Sequence, residues 1–194
     1  MRVDRENLRK SVARSVAPAC LAAVLALVPG AVLAPAAHAD AEYGGGCALY
    51  TDNPQATIIA LRDICSPEQQ DRIFMDSAQG AVPSGVTNGW VARPPIVEAT
   101  APPFWIGKNF YTGPDGGRLM NRITGAGIEG FPAYVYSAPS KIDGQPVWAL
   151  DYAPSITPQI WDEIREVTPN VWFGYSFWRG AIQTTPLLTF VLTY

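Results

Sequence analysis

Glu163 and Arg165 stand two residues apart in the segment 161–178, WDEIREVTPNVWFGYSFW. In an extended strand this spacing puts a carboxylate and a guanidinium on one face, with Asp162, Ile164 and Glu166 on the other. If the Glu163 face points into a closed barrel, its carboxylate needs a partner, because an unpaired buried charge is too costly to keep. Arg165 and Lys108 are the available cations, and Asn121 and Asp151 are polar groups able to join them. Such a cluster can orient the polar end of an apolar ligand, or hold a carboxyl at raised pKa for acid–base work. Trp148, Trp172 and Tyr175 are the aromatic candidates for the apolar part of the site. The same charges also suit a structural ion-pair network or a solvated outer face. Alternation does not choose between these readings, because the strands carry aromatics on both faces. A strand apolar on both sides is either covered by another layer or lines an apolar cavity.

Other chemistries find little support. The single histidine, His38, lies in a segment that reads as a secretory signal: a basic front (Arg2, Arg5, Arg9, Lys10, Arg14), an apolar run, and Ala37-His38-Ala39 before Asp40. Cleavage after Ala39 leaves a chain without histidine, which excludes a Ser-His-Asp triad and a histidine metal ligand. No metal and no cofactor is expected. Asp162, Glu163 and Glu166 match no calcium-loop spacing. Gly113-Pro114-Asp115-Gly116-Gly117 is followed by no helix pattern, so it reads as a hairpin turn and not as a phosphate loop. Removing 1–39 takes away five basic and two acidic residues from totals of 14 and 17, leaving 9 against 15 and a formal charge of −6. That acidic balance argues against nucleic acid or an anionic membrane as partner, and no integral membrane segment is expected after cleavage.

The elements that must position these residues divide at about residue 82. In 40–81, Cys47 and Cys65 read as a disulfide, since an even pair in an exported chain favours one. Asp52-Asn53-Pro54 starts a short helix over 54–64. Ser66-Pro67-Glu68-Gln69 starts a second with a capping box. These helices suggest a stapled plug or lid, and 40–46 reads as a mobile tail. From 82 to 194 short runs rich in Val, Ile, Tyr, Phe and Trp are punctuated by Gly and Pro. Strands are predicted over 90–93, 105–111, 118–124, 133–137, 146–152, 163–168, 171–178 and 187–194, with 91–103 extended. Eight short strands without intervening helices predict a mainly β, antiparallel closed barrel, preceded by the two stapled helices. Closure removes exposed edges, and a barrel of this size fills its interior or holds one small ligand.

The motif order Trp105-Ile106-Gly107-Lys108-Asn109-Phe110 (W-x-G-K-x-F), Asn121, Ser140-Lys141-Ile142-Asp143-Gly144 (S-x-x-D-G), Asp151-Tyr152, and Asp162-Glu163-Ile164-Arg165-Glu166-Val167 (D-E-I-R-E-V) resembles poorly characterised bacterial proteins of lipocalin-like, or calycin-like, barrel type. The resemblance covers residues 90–194. It implies a barrel with a small apolar ligand and carries no catalytic assignment. The expected function is a secreted, extracytoplasmic barrel that binds a small apolar or amphipathic, lipid-like molecule through Lys108, Asn121, Asp151, Glu163, Arg165, Tyr175, Trp148 and Trp172. The alternatives are a histidine-independent isomerase, cyclase or hydrolase using the same polar cluster, and an envelope interaction protein with outward aromatics.

Overall fold

The computed structural model describes residues 40–194; the secretory signal read in 1–39 lies outside them. The chain is mainly β. Eight antiparallel strands close a barrel: β3 (Gly85–Arg93), β4 (Gly107–Gly113), β5 (Gly116–Ile123), β6 (Ile128–Pro139), β7 (Pro146–Asp151), β8 (Ile160–Thr168), β9 (Val171–Arg179) and β10 (Thr184–Thr193). Each strand pairs with its neighbour in sequence, and β10 pairs with both β9 and β3. Two glycines permit the close approach of paired strands. A Cβ on Gly107, whose φ is +136°, would overlap the Thr87 carbonyl oxygen, and one on Gly174 would overlap that of Glu163.

Which face looks inward follows from one contact. Lys108 on β4 reaches Asp162 on β8 at 3.0 Å, although four strand steps separate these strands around the barrel. Only the lumen allows that meeting. The two-residue period then turns Phe110, Trp148, Leu150, Tyr152, Ile164, Trp172, Phe190 and Leu192 inward, where they form one buried cluster. The opposite set, including Val147, Ala149, Phe173, Tyr175 and Val191, faces outward and is buried too. Its cover is α1 (Pro54–Ile59), continued by a π turn over Ala60–Ile64, and α2 (Pro67–Asp76). Ile58, Leu61, Ile73 and Phe74 pack on that outer wall. The helices therefore lie against the barrel and do not plug its lumen, in contrast to the plug or lid suggested by sequence. Apolar side chains on the outward face of β7, β9 and β10 require such a cover.

The local signals act as read. Asn53 Oδ1 accepts from Ala56 N at 3.0 Å, Ser66 Oγ accepts from Gln69 N at 3.3 Å, and Gln69 Oε1 accepts from Ser66 N at 2.8 Å. Two segments differ from expectation. Residues expected as a tail form β1 (Ala41–Gly44), paired with β2 (Cys47–Leu49) through a turn of positive-φ glycines. Gln69 donates to the carbonyls of Tyr43 and Gly44 and ties that hairpin to α2. Residues 91–103, expected extended, contain α3 (Pro95–Thr100). Pro95 opens this helix, a position where a missing N–H costs nothing, and Arg62 pairs with Glu98 at 2.7 Å.

The Cys47–Cys65 disulfide staples this front across 18 residues. The Cys47→Ser/Cys65→Ser protein is expected to lose about 3 kcal/mol of unfolding free energy, from the loop-closure entropy restored to the unfolded chain. Urea denaturation of both proteins under non-reducing conditions measures the difference.

Candidate functional site

One end of the barrel is open. A cavity of about 290 Å³ lies there between the strand ends and the α3 region, which contributes Val97, Ala101, Phe104 and Trp105. Val91, Ile123, Phe131, Ile160, Leu188 and Phe190 complete apolar walls, and Lys108, Asn121, Tyr152, Asp162, Thr157 and Ser176 bring polar groups to it. The other end is shut. Trp148 donates to Gly80 O at 3.1 Å and Trp172 to Ala81 O at 2.7 Å, so the segment before β3 crosses the far mouth.

The polar groups form one network. Lys108 Nζ donates to Asn121 Oδ1 at 3.0 Å, to Tyr152 Oη at 2.6 Å and to Asp162 Oδ2 at 3.0 Å. Trp105 Nε1 donates to Asn121 Oδ1 at 2.9 Å, and Asn121 Nδ2 donates to Phe131 O and Tyr152 Oη, both at 3.0 Å. Tyr152 Oη donates to Asp162 Oδ2 at 3.1 Å. The ammonium also sits 5.1–5.3 Å from the ring centroids of Trp105, Tyr152 and Phe190, where a cation is attracted to the aromatic faces. Burial pushes the Lys108 pKa down, and the Asp162 carboxylate opposes that shift. Burial, joined by the negative charge of Asp162, pushes the Tyr152 pKa well above its ordinary value. Tyr152 is therefore a hydrogen-bond donor at neutral pH. Among the described residues, Asp162 Oδ1 is buried without any donor.

The sequence candidates divide by face. Lys108 and Asn121 meet at the cavity. Trp148 and Trp172 point inward but stand at the shut end. Glu163 and Arg165 face outward, beneath the helical layer, and both are wholly buried. They do not pair with each other. Glu163 accepts from Ser140 Oγ at 2.6 Å and Lys141 N at 2.9 Å. Arg165 donates to both carboxylate oxygens of Asp143, at 2.8 and 2.7 Å, to Phe74 O at 2.8 Å and to Pro146 O at 3.2 Å. Together they clamp the β6–β7 turn to β8 and α2. Tyr175 lies on the same outer face, edge-on to Phe74 at 4.8 Å, with Arg93 donating to its hydroxyl at 3.0 Å. Asp151 also faces outward, paired with Arg179 at 2.7 Å and accepting from Tyr136 at 3.0 Å. Asp162, Tyr152 and Trp105 complete the cavity network without having been singled out as ligand contacts. The available signal was phase: Tyr152 shares a face with Trp148 and Leu150, and Asp162 with Ile164. Among the described residues, no cluster of three or more His, Cys, Asp or Glu is placed to hold a metal ion.

No protein-family model matches the chain, and no curated protein matches its sequence. A solved structure of a protein from Thermomonospora curvata aligns with 71% of this chain and 93% of its own, at 20% identity and a TM-score of 0.49.

Substitutions in each network separate the roles of the two. Lys108→Met leaves the Asp162 carboxylate buried without its cation and is expected to cost about 3–5 kcal/mol; adding Asp162→Asn recovers part of that loss in urea denaturation. The Arg165 hydrogen bonds hold the Asp143 pKa below its ordinary value. Because the folded value is depressed, the stabilisation is present above the unfolded pKa of about 3.9 and is lost as pH falls through the folded one. Asp143→Asn is expected to cost about 1.5–3 kcal/mol at pH 7, the range for hydrogen bonds to charged groups. Its urea midpoint should fall less steeply than that of the wild type below pH of about 4.

Proposed function

We propose that this chain is a secreted, lipocalin-like (calycin-like) bacterial barrel that binds a small apolar or amphipathic molecule at its open end. Residues 1–39 are its export signal, 40–81 its stapled outer layer, and 82–194 the barrel. The observation that carries this reading is the cavity of about 290 Å³ with apolar walls above a buried lysine-centred cluster. Small-molecule pockets combine mostly apolar lining with a few fixed polar groups, and start at about 300 Å³. Lys108 and Asn121, with Asp162, Tyr152 and Trp105, orient the ligand's polar end. Glu163, Arg165, Asp151, Tyr175, Trp148 and Trp172 serve the site by holding the wall and the shut end in place.

The disulfide is consistent with an extracytoplasmic location. No helix among the described residues is long and apolar enough to cross a membrane. An enzymatic reading of the same cavity rests on Lys108 and Tyr152, whose pKa values are both displaced by burial.

N-phenyl-1-naphthylamine, whose fluorescence rises on leaving water, tests the cavity. Binding to the wild type is expected, and Ile123→Trp, which fills the mouth, should weaken it at least about tenfold. Equal binding by both proteins would place the probe elsewhere and refute the reading. Mass spectrometry of small molecules co-purifying with the exported protein then distinguishes a carrier, which releases its ligand unchanged, from an enzyme, which converts it.

A further inference from the structure

The hydrogen inventory of the cavity network restricts the ligand more than the cavity's shape does. An ammonium has three hydrogens, a carboxamide two, a phenol one and an indole one. All of them are spent. Lys108 uses its three on Asn121, Tyr152 and Asp162. Asn121 uses its two on Phe131 O and Tyr152 Oη, Tyr152 its one on Asp162 Oδ2, and Trp105 its one on Asn121 Oδ1. The amide orientation is fixed, because Trp105 and Lys108 are donors only and both aim at the same Asn121 atom. The acceptors are filled as well, except one. Asp162 Oδ1 has no donor, on a residue that is 4% exposed and lines the cavity. A buried carboxylate oxygen left in this state is costly, so a ligand that donates to it gains more than one that only fills the walls.

We infer that the open-end cavity selects an apolar alcohol or phenol, whose hydroxyl donates to Asp162 Oδ1. This rests on the binding reading above and narrows it to a ligand class. A ketone, ester or ether of the same skeleton finds no free donor in the network, can accept only from hydroxyls on the cavity wall such as that of Ser176, and leaves Asp162 Oδ1 unsatisfied. An ionised fatty acid is disfavoured by charge, because its carboxylate would face that of Asp162. A cationic amine has a hydrogen to give but would sit beside the Lys108 ammonium, whose charge already balances Asp162. A neutral hydroxyl satisfies the oxygen and adds no charge.

Three probes of one carbon skeleton test the assignment: menthol, menthone and p-menthane, each titrated into the purified protein by calorimetry. Menthol is expected to bind at least about tenfold more tightly than menthone or p-menthane, as a hydrogen bond to a buried charged acceptor implies. Menthone binding as tightly as menthol would overturn the hydroxyl preference and leave the apolar cavity intact as a binding site. Failure of all three to bind would overturn the binding reading itself, and the ligand class with it. Asp162→Asn supplies the converse measurement. Lys108 and Tyr152 hold the Asn oxygen at the Oδ2 position, so the new NH₂ group takes the place of Oδ1. Menthone should then gain relative to menthol, and an unchanged ratio in a folded Asp162→Asn protein would remove Asp162 as the discriminating group.

Discussion

The Lys108–Asp162 pair spans the lumen and gives the barrel its inside. A lysine and an aspartate, each almost wholly shielded from solvent, are tolerated only because each meets the other and the remaining bonds of the ammonium go to Asn121 and Tyr152. Their meeting requires β4 and β8 to stand opposite one another, and the pleat then commits every other residue of those strands to the same side. Tyr152 and Asn121 are held in turn, so β5 and β7 join the arrangement. One network thus ties strands from around the ring at the open end, while Trp148 and Trp172 close the other.

The outer wall has its own brace, built from the neighbouring residues of the same strand. Asp162 looks inward to Lys108; Glu163, one residue later, looks outward to Ser140 and Lys141. Arg165 follows on the outer side and grips Asp143, Phe74 and Pro146. The two short motifs D-E-I-R-E-V and S-x-x-D-G, separated in sequence, are therefore one contact in space. The W-x-G-K-x-F, D-Y and Asp162 positions are another. A single strand, β8, serves both, which explains its charged composition in a wall otherwise rich in aromatics.

Much of the frame was readable from local chemistry. The eight strands fall where β-branched and aromatic runs are separated by Gly, Pro and Asn, and both helix starts follow capping side chains. The errors fell where local rules are overridden. β6 begins at Ile128, well before the predicted 133, because Gly130 and Pro132 interrupt the local strand pattern. Phe131 takes a φ of +49°, and the β5–β6 register shifts between Leu119 and Asn121, so the strand passes through an irregularity without ending. The β1–β2 hairpin lacks a hydrophobic pattern long enough to announce it, and its place depends on the disulfide and Gln69.

For the site, the sequence alone determined which residues share a face: Lys108 with Phe110, Tyr152 with Trp148, Glu163 with Arg165, Asp162 with Ile164. It also narrowed the polar candidates to a few acids and cations once the only histidine, His38, was read as part of a proposed export signal. Only the tertiary structure decided which face is the lumen. Alternation carries a period and no sign, and the sign is ordinarily read from one polar and one apolar side. Here both sides are apolar, one because it fills a barrel and the other because helices cover it. A one-residue phase therefore separates Asp162 at the cavity from Glu163 in the brace, and long-range packing alone sets that phase.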